Sequence, residues 1–147
     1  MSEVSCVFCQ IVSRDLPSSI VYEDEDVLGF MDIQPATTGH VLIIPKRHST
    51  GLNDLDEHTG AAMFGAAQRI AAAMRRSNIT CEGVNFFLAD GEAAFQEVFH
   101  THLHVVPRST DDGLKLEASW SEPARHELDE LASHIHAHVS ATRSTNN

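Results

Sequence analysis

Residues 99–106 read FHTHLHVV, a stretch in which histidine alternates three times with another residue. The flanking valines and Pro107 are typical of a β-strand, which we predict over residues 98–107. Side chains alternate between the two faces of a strand, so the three histidines are expected on one face with Cα atoms about 6.6 Å apart. Only the middle one, His102, then has an imidazole on either side. The pattern favours a metal site or nucleophilic catalysis over an ordinary solvent-facing strand.

Residues 133–139, SHIHAHV, repeat the alternation in a different setting. Apolar residues recur around them at steps of three and four, as on one side of a helix: Leu128, Leu131, Ile135 and Val139. On a helix, residues two apart point about 200° away from each other, so His136 cannot join His134 and His138 in one site. We predict a solvent-exposed helix face here, with at most a weak surface metal pair.

The composition excludes several classes of partner. The chain carries 21 Asp and Glu against 10 Lys and Arg, a formal net charge of −11. This charge repels nucleic acid, although local donors can still hold a small anion. We find no membrane-length apolar run and no signal-peptide pattern, so we expect no membrane partner. Three cysteines, an odd number, without an export signal favour a cytoplasmic protein over a disulfide scaffold.

Strand patterns occur along much of the chain. Residues 20–33 predict a hairpin whose acidic turn is Glu23–Asp26, residues 40–45 a β-branched strand, and residues 84–89 a further strand. Residues 114–120 are a weaker strand candidate.

Two helices of useful length are expected. The longer one should run from about Asn53 or Asp54 to Ser77, with Asn53, Asp54 and Asp56 as candidate caps, and the other should begin near Ser121–Pro123. The longer helix has an apolar stripe that we expect to be buried: Leu55, Ala62, Ala66, Ile70 and Met74. Hairpin-like strands around one long helix favour an α+β fold with an antiparallel sheet. At this length we predict one domain over residues 1–139 and a disordered tail over 140–147.

The histidine run also fits the histidine triad pattern, in which each histidine precedes a small or apolar residue. Three stretches carry the wider match: CVFCQIV at 6–12, YEDEDVLGFMDIQPATTGHVLIIPKRH at 22–48, and ADGEAAFQEVFHTHLHVVPR at 89–108. Because they follow the family's order and spacing, the chain resembles the histidine triad (HIT) family of nucleotide-binding hydrolases. The resemblance implies a HIT-like α+β fold with an antiparallel sheet of about five strands, one long helix and a C-terminal helix. It also implies a homodimer whose two sheets adjoin.

The resemblance further implies hydrolysis through a covalent nucleotidyl-histidine that releases a nucleoside monophosphate. The ligand would be a purine nucleotide such as AMP. By position, His102 is the nucleophile, His104 helps bind the phosphate, and His40 approaches from a neighbouring strand. Asp32 matches the residue that accepts the ribose hydroxyls. The full set at nucleotide-binding positions is Asp32, Ile33, Phe30, Phe8, Ile11 and Gln96.

The pair Cys6 and Cys9 is, on spacing alone, compatible with zinc, redox chemistry or neither. A thioredoxin-like site would need a preceding strand and a long following helix, and we find neither pattern. A zinc site needs two more nitrogen or sulfur ligands. In relatives with this cysteine pair, the resemblance implies a structural, four-coordinate Zn²⁺ held at the positions Cys6, Cys9, His48 and His100.

Three residues depart from the family pattern. Ala89 stands where many members have an amide, Phe95 replaces a common glycine, and Glu97 occupies the position of a hydroxyl. These departures keep an alternative open, a zinc-stabilised nucleotide-binding or regulatory protein with little turnover. Phosphoramidates, acyl-nucleotides and dinucleoside polyphosphates all stay open as substrates.

Overall fold

Five strands and three α-helices make up residues 5–139, the part of the chain that the computed structural model describes. In chain order they are α1 (Val7–Val12), β1 (Ile20–Glu23), β2 (Val27–Met31), β3 (Val41–Pro45), α2 (Glu57–Arg76), β4 (Gly83–Leu88), β5 (Leu103–Arg108) and α3 (Arg125–His136). The tail predicted at 140–147 lies outside the described residues.

The chain divides after Leu114 into two compact units. The first contains the sheet with α1 and α2, and the second contains α3. The strand predicted at 114–120 is wrong, because no strand forms there. Leu116 and Trp120 in that stretch are 70% and 87% exposed, so burial does not favour strand pairing. The single domain predicted over 1–139 stays a prediction.

The strands form one open sheet in the order β1-β2-β3-β5-β4, and all four neighbouring pairs are antiparallel. The predicted α+β fold class with a five-stranded antiparallel sheet is therefore confirmed. The acidic turn joins β1 to β2 as expected, because the Asp24 carboxylate accepts hydrogen bonds from the backbone amides of Asp26 and Val27.

The two faces of the sheet are covered by different helices. Alternate residues of β2, β3 and β5 pack on α2: Val27, Val41, Ile43, Leu103 and Val105. The opposite face of β2 and β3 packs on α1: Leu28, Phe30, Leu42 and Ile44. Because His104 pairs with Leu42 in register, its side chain lies on the α1 face. The histidine run thus lies opposite the long helix.

Strand β5 begins at Leu103, so the prediction of a strand from residue 98 is wrong. Strand β4 ends at Leu88, which is the pairing partner of Leu103, and earlier residues have no strand to pair with. The amide of Thr101 instead donates to the carbonyl of Ser49, at 2.7 Å. His100 and His102 consequently lie on the non-strand segment that leads into β5, with His100 in a bend.

Helix α2 begins at Glu57, a few residues after the predicted start near Asn53 or Asp54, and of the three cap candidates Asp56 is the one that precedes it. Asp56 caps it by accepting a hydrogen bond from the Thr59 amide at 2.9 Å. Asp54 is engaged earlier, accepting from the amides of Thr50 and Gly51. The predicted stripe on this helix includes the buried residues Ala66, Ile70 and Met74.

Candidate functional site

Four side chains from separate parts of the first unit form a cluster suited to a metal ion. Cys6 and Cys9 come from the start of α1, His48 follows β3, and His100 precedes β5. Their ligand atoms all lie within 4.8 Å of one another. Cys6 and His100 are fully buried. The four zinc ligands expected from the sequence are therefore brought together.

The distances in this cluster fit tetrahedral coordination. The Nδ1 atom of His100 lies 3.4 Å from Cys6 Sγ and 3.5 Å from Cys9 Sγ, and His48 Nδ1 lies 3.3 Å from Cys9 Sγ. The two Nδ1 atoms are 3.2 Å apart. Around tetrahedral Zn²⁺, sulfur–nitrogen separations should be about 3.5 Å and nitrogen–nitrogen separations about 3.3 Å. The donor set can hold a metal ion of this size.

The backbone orients His100 for this task. Its Nε2–H donates to the carbonyl of Pro45 at 2.9 Å, so Nδ1 carries the lone pair that faces the sulfur atoms. Burial lowers the pKa of His100 to about 4, so the ring is neutral at neutral pH. A neutral imidazole is the form that binds a metal.

His102 is oriented by its neighbour in the sequence. Its Nδ1–H donates to the backbone carbonyl of His100 at 2.7 Å, so Nε2 carries a lone pair. The residue is buried, and the ring of Phe8 packs edge-on against it with centroids 5.3 Å apart. The ring of His104 lies 5.0 Å away, centroid to centroid. In the neutral form of this ring, Nε2 is thus the nitrogen that can act as a base, nucleophile or ligand.

His40 and His104 form a chain of hydrogen bonds that begins in the backbone. The amide of Ala36 donates to His40 Nδ1 at 3.0 Å, so the His40 proton sits on Nε2. That Nε2–H donates to His104 Nδ1 at 2.8 Å, which leaves the His104 proton on its own Nε2. His104 therefore presents an N–H donor, which is suited to an anion.

Burial keeps both of these histidines uncharged. It lowers the pKa of His40, against the opposing attraction of the Asp32 carboxylate. It lowers the pKa of His104 to about 4, helped by repulsion from His102 and His40.

Asp32, His40 and His104 also bring three potential ligand atoms within 4.8 Å of one another. The Ala36 amide occupies Nδ1 of His40, so the Nε2 atom that faces the other two groups keeps its proton. A protonated nitrogen has no lone pair for a metal. We interpret this second cluster as a hydrogen-bonding array, with the Asp32 carboxylate 3.6 Å from His40 Nε2.

The other predicted nucleotide-binding residues fall into two groups. Phe8, Ile11 and Phe30 are buried in the apolar cluster beneath the histidines. Ile33, in contrast, is 95% exposed. Gln96 is buried with its amide fully engaged: Oε1 accepts from the Gly91 amide, and Nε2 donates to the carbonyls of Thr50 and Val98. The loop after β4 is therefore fastened by Gln96.

Three nearby side chains were missed by the sequence reasoning. Ser49 Oγ donates to Thr101 Oγ1 at 2.9 Å, and Thr101 Oγ1 donates to the Ser49 carbonyl at 3.1 Å, so the residues next to two cluster histidines are joined. The ring of Phe87 lies 5.9 Å from that of His104. For these three side chains, the sequence offered one signal, a threonine placed between two histidines. The nearness of Phe87 to His104 could not be predicted, because it depends on strand register.

The second histidine run behaves as predicted for a helix surface. His134 and His136 belong to α3, His138 follows it, and all three are exposed. None of them joins a group of potential metal ligands among the described residues.

The class of protein follows from this site and a comparison with known families. The HIT domain model matches residues 13–111, more than half of the chain. The chain belongs to the HIT family, and the resemblance seen in the sequence is confirmed.

Three relatives show the range of similarity. An uncharacterised HIT-like protein of Borreliella burgdorferi is 46% identical over 109 residues, which cover 74% of this chain and 78% of that protein. The adenosine 5′-monophosphoramidase HNT1 of Saccharomyces cerevisiae is 34% identical over 118 residues, covering 80% and 71% of the two chains. The crystal structure of a zinc-bound histidine triad family protein from Mycobacterium smegmatis superposes with a TM-score of 0.75 at 46% identity, covering 90% of this chain and 99% of that one.

No helix in the described part of the chain is both long enough and apolar enough to span a lipid bilayer.

Proposed function

We propose that this protein hydrolyses nucleoside 5′-phosphate derivatives, with Nε2 of His102 as the nucleophile. The observation that carries the proposal is the hydrogen bond from His102 Nδ1–H to the His100 carbonyl, because it selects the neutral tautomer whose lone pair is on Nε2. The similarity to a yeast adenosine 5′-monophosphoramidase supports a purine nucleotide such as AMP as the part that is retained.

The reaction would proceed in two balanced steps. Nε2 of His102 attacks the α-phosphorus, and the bond from phosphorus to the leaving group breaks as that group takes up the electron pair and a proton from solvent. Water then attacks the same phosphorus and its proton returns to solvent, the bond to Nε2 breaks with the electron pair going back to Nε2, and the nucleoside monophosphate is released. His104 Nε2–H is available to donate to a phosphoryl oxygen in both steps, and His40 keeps it in that tautomer.

The nucleoside would lie on the Asp32 side of the histidines. The Asp32 carboxylate is half-buried and next to the exposed Ile33, so ribose hydroxyls and a base can reach the two together. Phe8, Ile11 and Phe30 would then form the floor of the pocket rather than its exposed wall. Gln96 would affect nucleotide binding indirectly, by holding the loop after β4 in place.

The decisive experiment is hydrolysis of adenosine 5′-phosphoramidate and diadenosine tetraphosphate by wild type and His102→Ala. We expect the variant to lose at least about a thousandfold in kcat/KM while still binding AMP. Mass spectrometry of acid-free quenched samples should show an adenylyl adduct in wild type only. His134→Ala, which removes an exposed histidine of α3, is the matched control. Near-normal turnover by His102→Ala would refute the mechanism.

The alternative is a nucleotide-binding or regulatory protein with little turnover. It is favoured by the three departures from the family pattern, Ala89, Phe95 and Glu97, of which Glu97 is exposed and offers an acceptor where a donor would help a leaving group. AMP binding without detectable cleavage of either substrate would support this alternative.

We propose a structural Zn²⁺ at Cys6, Cys9, His48 and His100. The donor distances and the lone pair on His100 Nδ1 support it, as does the zinc-bound relative. When bound, the ion would supply a cross-link between α1 and the segments beside β3 and β5. Metal analysis of protein purified without chelator should find one zinc per chain, and Cys9→Ser should lose it. Well below one equivalent in wild type would contradict the assignment.

We further propose a cytoplasmic homodimer joined along β4 and α2. Strand β4 is an edge strand, and beside it a cavity of about 480 Å³ is lined by Gln68, Ala71, Arg75, Val84 and Phe86. Phe64 on α2 is 54% exposed and packs on Phe86. Light scattering should give a molecular mass of twice that of one chain, and the Phe64→Asp variant should have the mass of a single chain. Cell fractionation should recover the protein with the cytosol, where cysteines stay reduced.

A further inference from the structure

Phe95 has an unusual conformation for a large side chain. Its backbone has φ 67° and ψ 27°, in the left-handed region that bulky residues rarely adopt. Its ring is 84% exposed. Arg14 also has a positive φ, but its guanidinium pairs with Glu23. Neither the strain nor the exposure of Phe95 favours folding, which points to a role in function.

The loop that carries Phe95 is held in place on both sides. The Phe95 amide donates to the Glu92 carbonyl at 2.9 Å, and the Gln96 amide donates to the Gly91 carbonyl at 3.1 Å. The side chain of Gln96 adds bonds to Thr50 and Val98. The ring is therefore presented to solvent by a fastened backbone.

This loop leads directly to the histidine site. Val98 packs against the apolar cluster that contains Phe8, and the ring of Phe8 lies 5.3 Å from that of His102. Three residues of chain span at most about 10.5 Å, so Phe95 lies within that distance of Val98, Cα to Cα. Phe95 therefore lies on the loop that leads into the segment carrying His102, with its ring exposed.

A second exposed apolar residue lies beside the same site. In residues 5–114, Ile33 and Phe95 have the most exposed large apolar side chains, at 95% and 84%. Ile33 follows Asp32, whose carboxylate lies 3.6 Å from His40 Nε2. Because the nucleoside is assigned to the Asp32 side, Phe95 on the loop before His102 is available to the other part of the substrate.

We infer that Phe95 is a specificity-determining residue that stacks against a planar aromatic ring in the leaving group. The inference rests on the proposed hydrolase function and narrows its substrate class. The preferred substrate is a nucleoside 5′-phosphate derivative whose leaving group, an arylalkyl amine or a second nucleobase, carries that ring near the reacting atom. Stacking and burial of one aromatic pair correspond to roughly a tenfold preference.

The test uses two substrates with matched leaving-group chemistry. Adenosine 5′-phosphoramidates of 2-phenylethylamine and of ethylamine both release a primary alkylamine and differ in the aromatic ring. We expect wild type to favour the phenylethyl substrate by about tenfold in kcat/KM. Phe95→Gly should reduce this ratio to near one and leave the ethyl substrate unchanged, whereas Phe95→Tyr should retain the preference.

Thermal unfolding separates specificity from a structural role. Glycine adopts the left-handed conformation without penalty, so Phe95→Gly should unfold at an equal or higher temperature than wild type. If it unfolds earlier and loses both activities equally, the ring is structural and the inference is overturned. Equal cleavage of both substrates by wild type, or a preference retained in Phe95→Gly, also overturns it but leaves the hydrolase proposal standing. If wild type cleaves diadenosine tetraphosphate but neither phosphoramidate, the inference is overturned and the hydrolase proposal stands. Failure of wild type to cleave any of the three substrates overturns both.

Discussion

Single backbone groups decide which nitrogen of each site histidine carries the proton. The Pro45 carbonyl takes the Nε2 proton of His100, the His100 carbonyl takes the Nδ1 proton of His102, and the Ala36 amide directs the His40 proton to Nε2. Identical side chains thereby acquire different chemistry. The sequence predicted that His100 would serve a metal and His102 would act as the nucleophile, but these tautomers depend on how the folded backbone directs its polar groups. The Pro45 carbonyl is 55 positions from His100, whereas the His100 carbonyl and the Ala36 amide are nearby groups directed by the loop conformation.

At the same scale, Thr101 should stabilise the site through its bonds to Ser49. Thr101→Val keeps the shape but leaves the buried Ser49 hydroxyl without its partner, which should lower the free energy of unfolding by about 1–3 kcal/mol. Thr101→Ser retains the hydroxyl and should cost less. Urea titrations of both variants provide the measurement. A valine variant as stable as wild type would show that the hydroxyl pair contributes nothing.

His104 should make stability depend on pH. Its folded pKa is about 4 and the unfolded value is about 6.5, so between these values the unfolded chain binds more protons. The contribution of His104 is therefore complete above pH 6.5 and is lost as the pH falls to 4. Urea midpoints across this window should fall less steeply in His104→Asn than in wild type. The exposed His126→Asn is the control, and equal slopes in all three proteins would contradict the assignment.

At the scale of elements, local signals predicted the existence of helices and strands better than their ends. Strands β2 and β3 follow from apolar, β-branched runs, and α2 follows from its stripe. The start of β5 was wrong because valines and alternation continue to residue 98, whereas the partner strand β4 ends at Leu88. A strand forms only where a neighbouring strand is present to pair with, in addition to an alternating sequence. The local sequence does not show where that neighbouring strand ends.

The start of α2 provides a test at this scale. Asp56 accepts hydrogen bonds from the amide and hydroxyl of Thr59, so Asp56→Ala should lower the free energy of unfolding by about 1 kcal/mol. Glu57→Ala changes an acidic residue in the first turn without removing the cap and should have a smaller effect. Thermal unfolding followed by circular dichroism measures both, and equal losses would argue against Asp56 as the cap.

At the scale of the whole first unit, the candidate metal cluster brings together α1 and the segments next to two paired strands of the sheet. Its residues lie on α1, after β3 and before β5, separated by as many as 94 positions in sequence. An ion bound to the folded form alone stabilises it by mass action. The proposed ion would therefore stabilise the folded unit as a whole as well as fix the local geometry of its four ligands.

Metal removal should accordingly lower stability in a way that depends on this cluster. A chelator is expected to lower the unfolding temperature of wild type, and added Zn²⁺ should restore it. Cys9→Ser should unfold early and respond little to either treatment. Cys81→Ser is the matched control, since Cys81 lies outside the cluster and bonds to the Gly83 carbonyl. A wild-type unfolding temperature insensitive to the chelator would contradict a stabilising metal.

The sequence by itself determined the fold class, the family and the identity of the histidines and cysteines, because periodicity and motif spacing are local properties of the chain. Only the tertiary structure decided that Phe8 and Phe30 lie beneath the histidines, that the Gln96 amide fastens a loop, and that Phe95 is strained and exposed. The burial of the two phenylalanines and the bond from Gln96 to Thr50 arise from contacts between segments far apart in sequence, where strand register decides which side chains meet. The strain at Phe95 arises from the way the folded loop closes on Gly91 and Glu92, which the pattern of residue types does not specify.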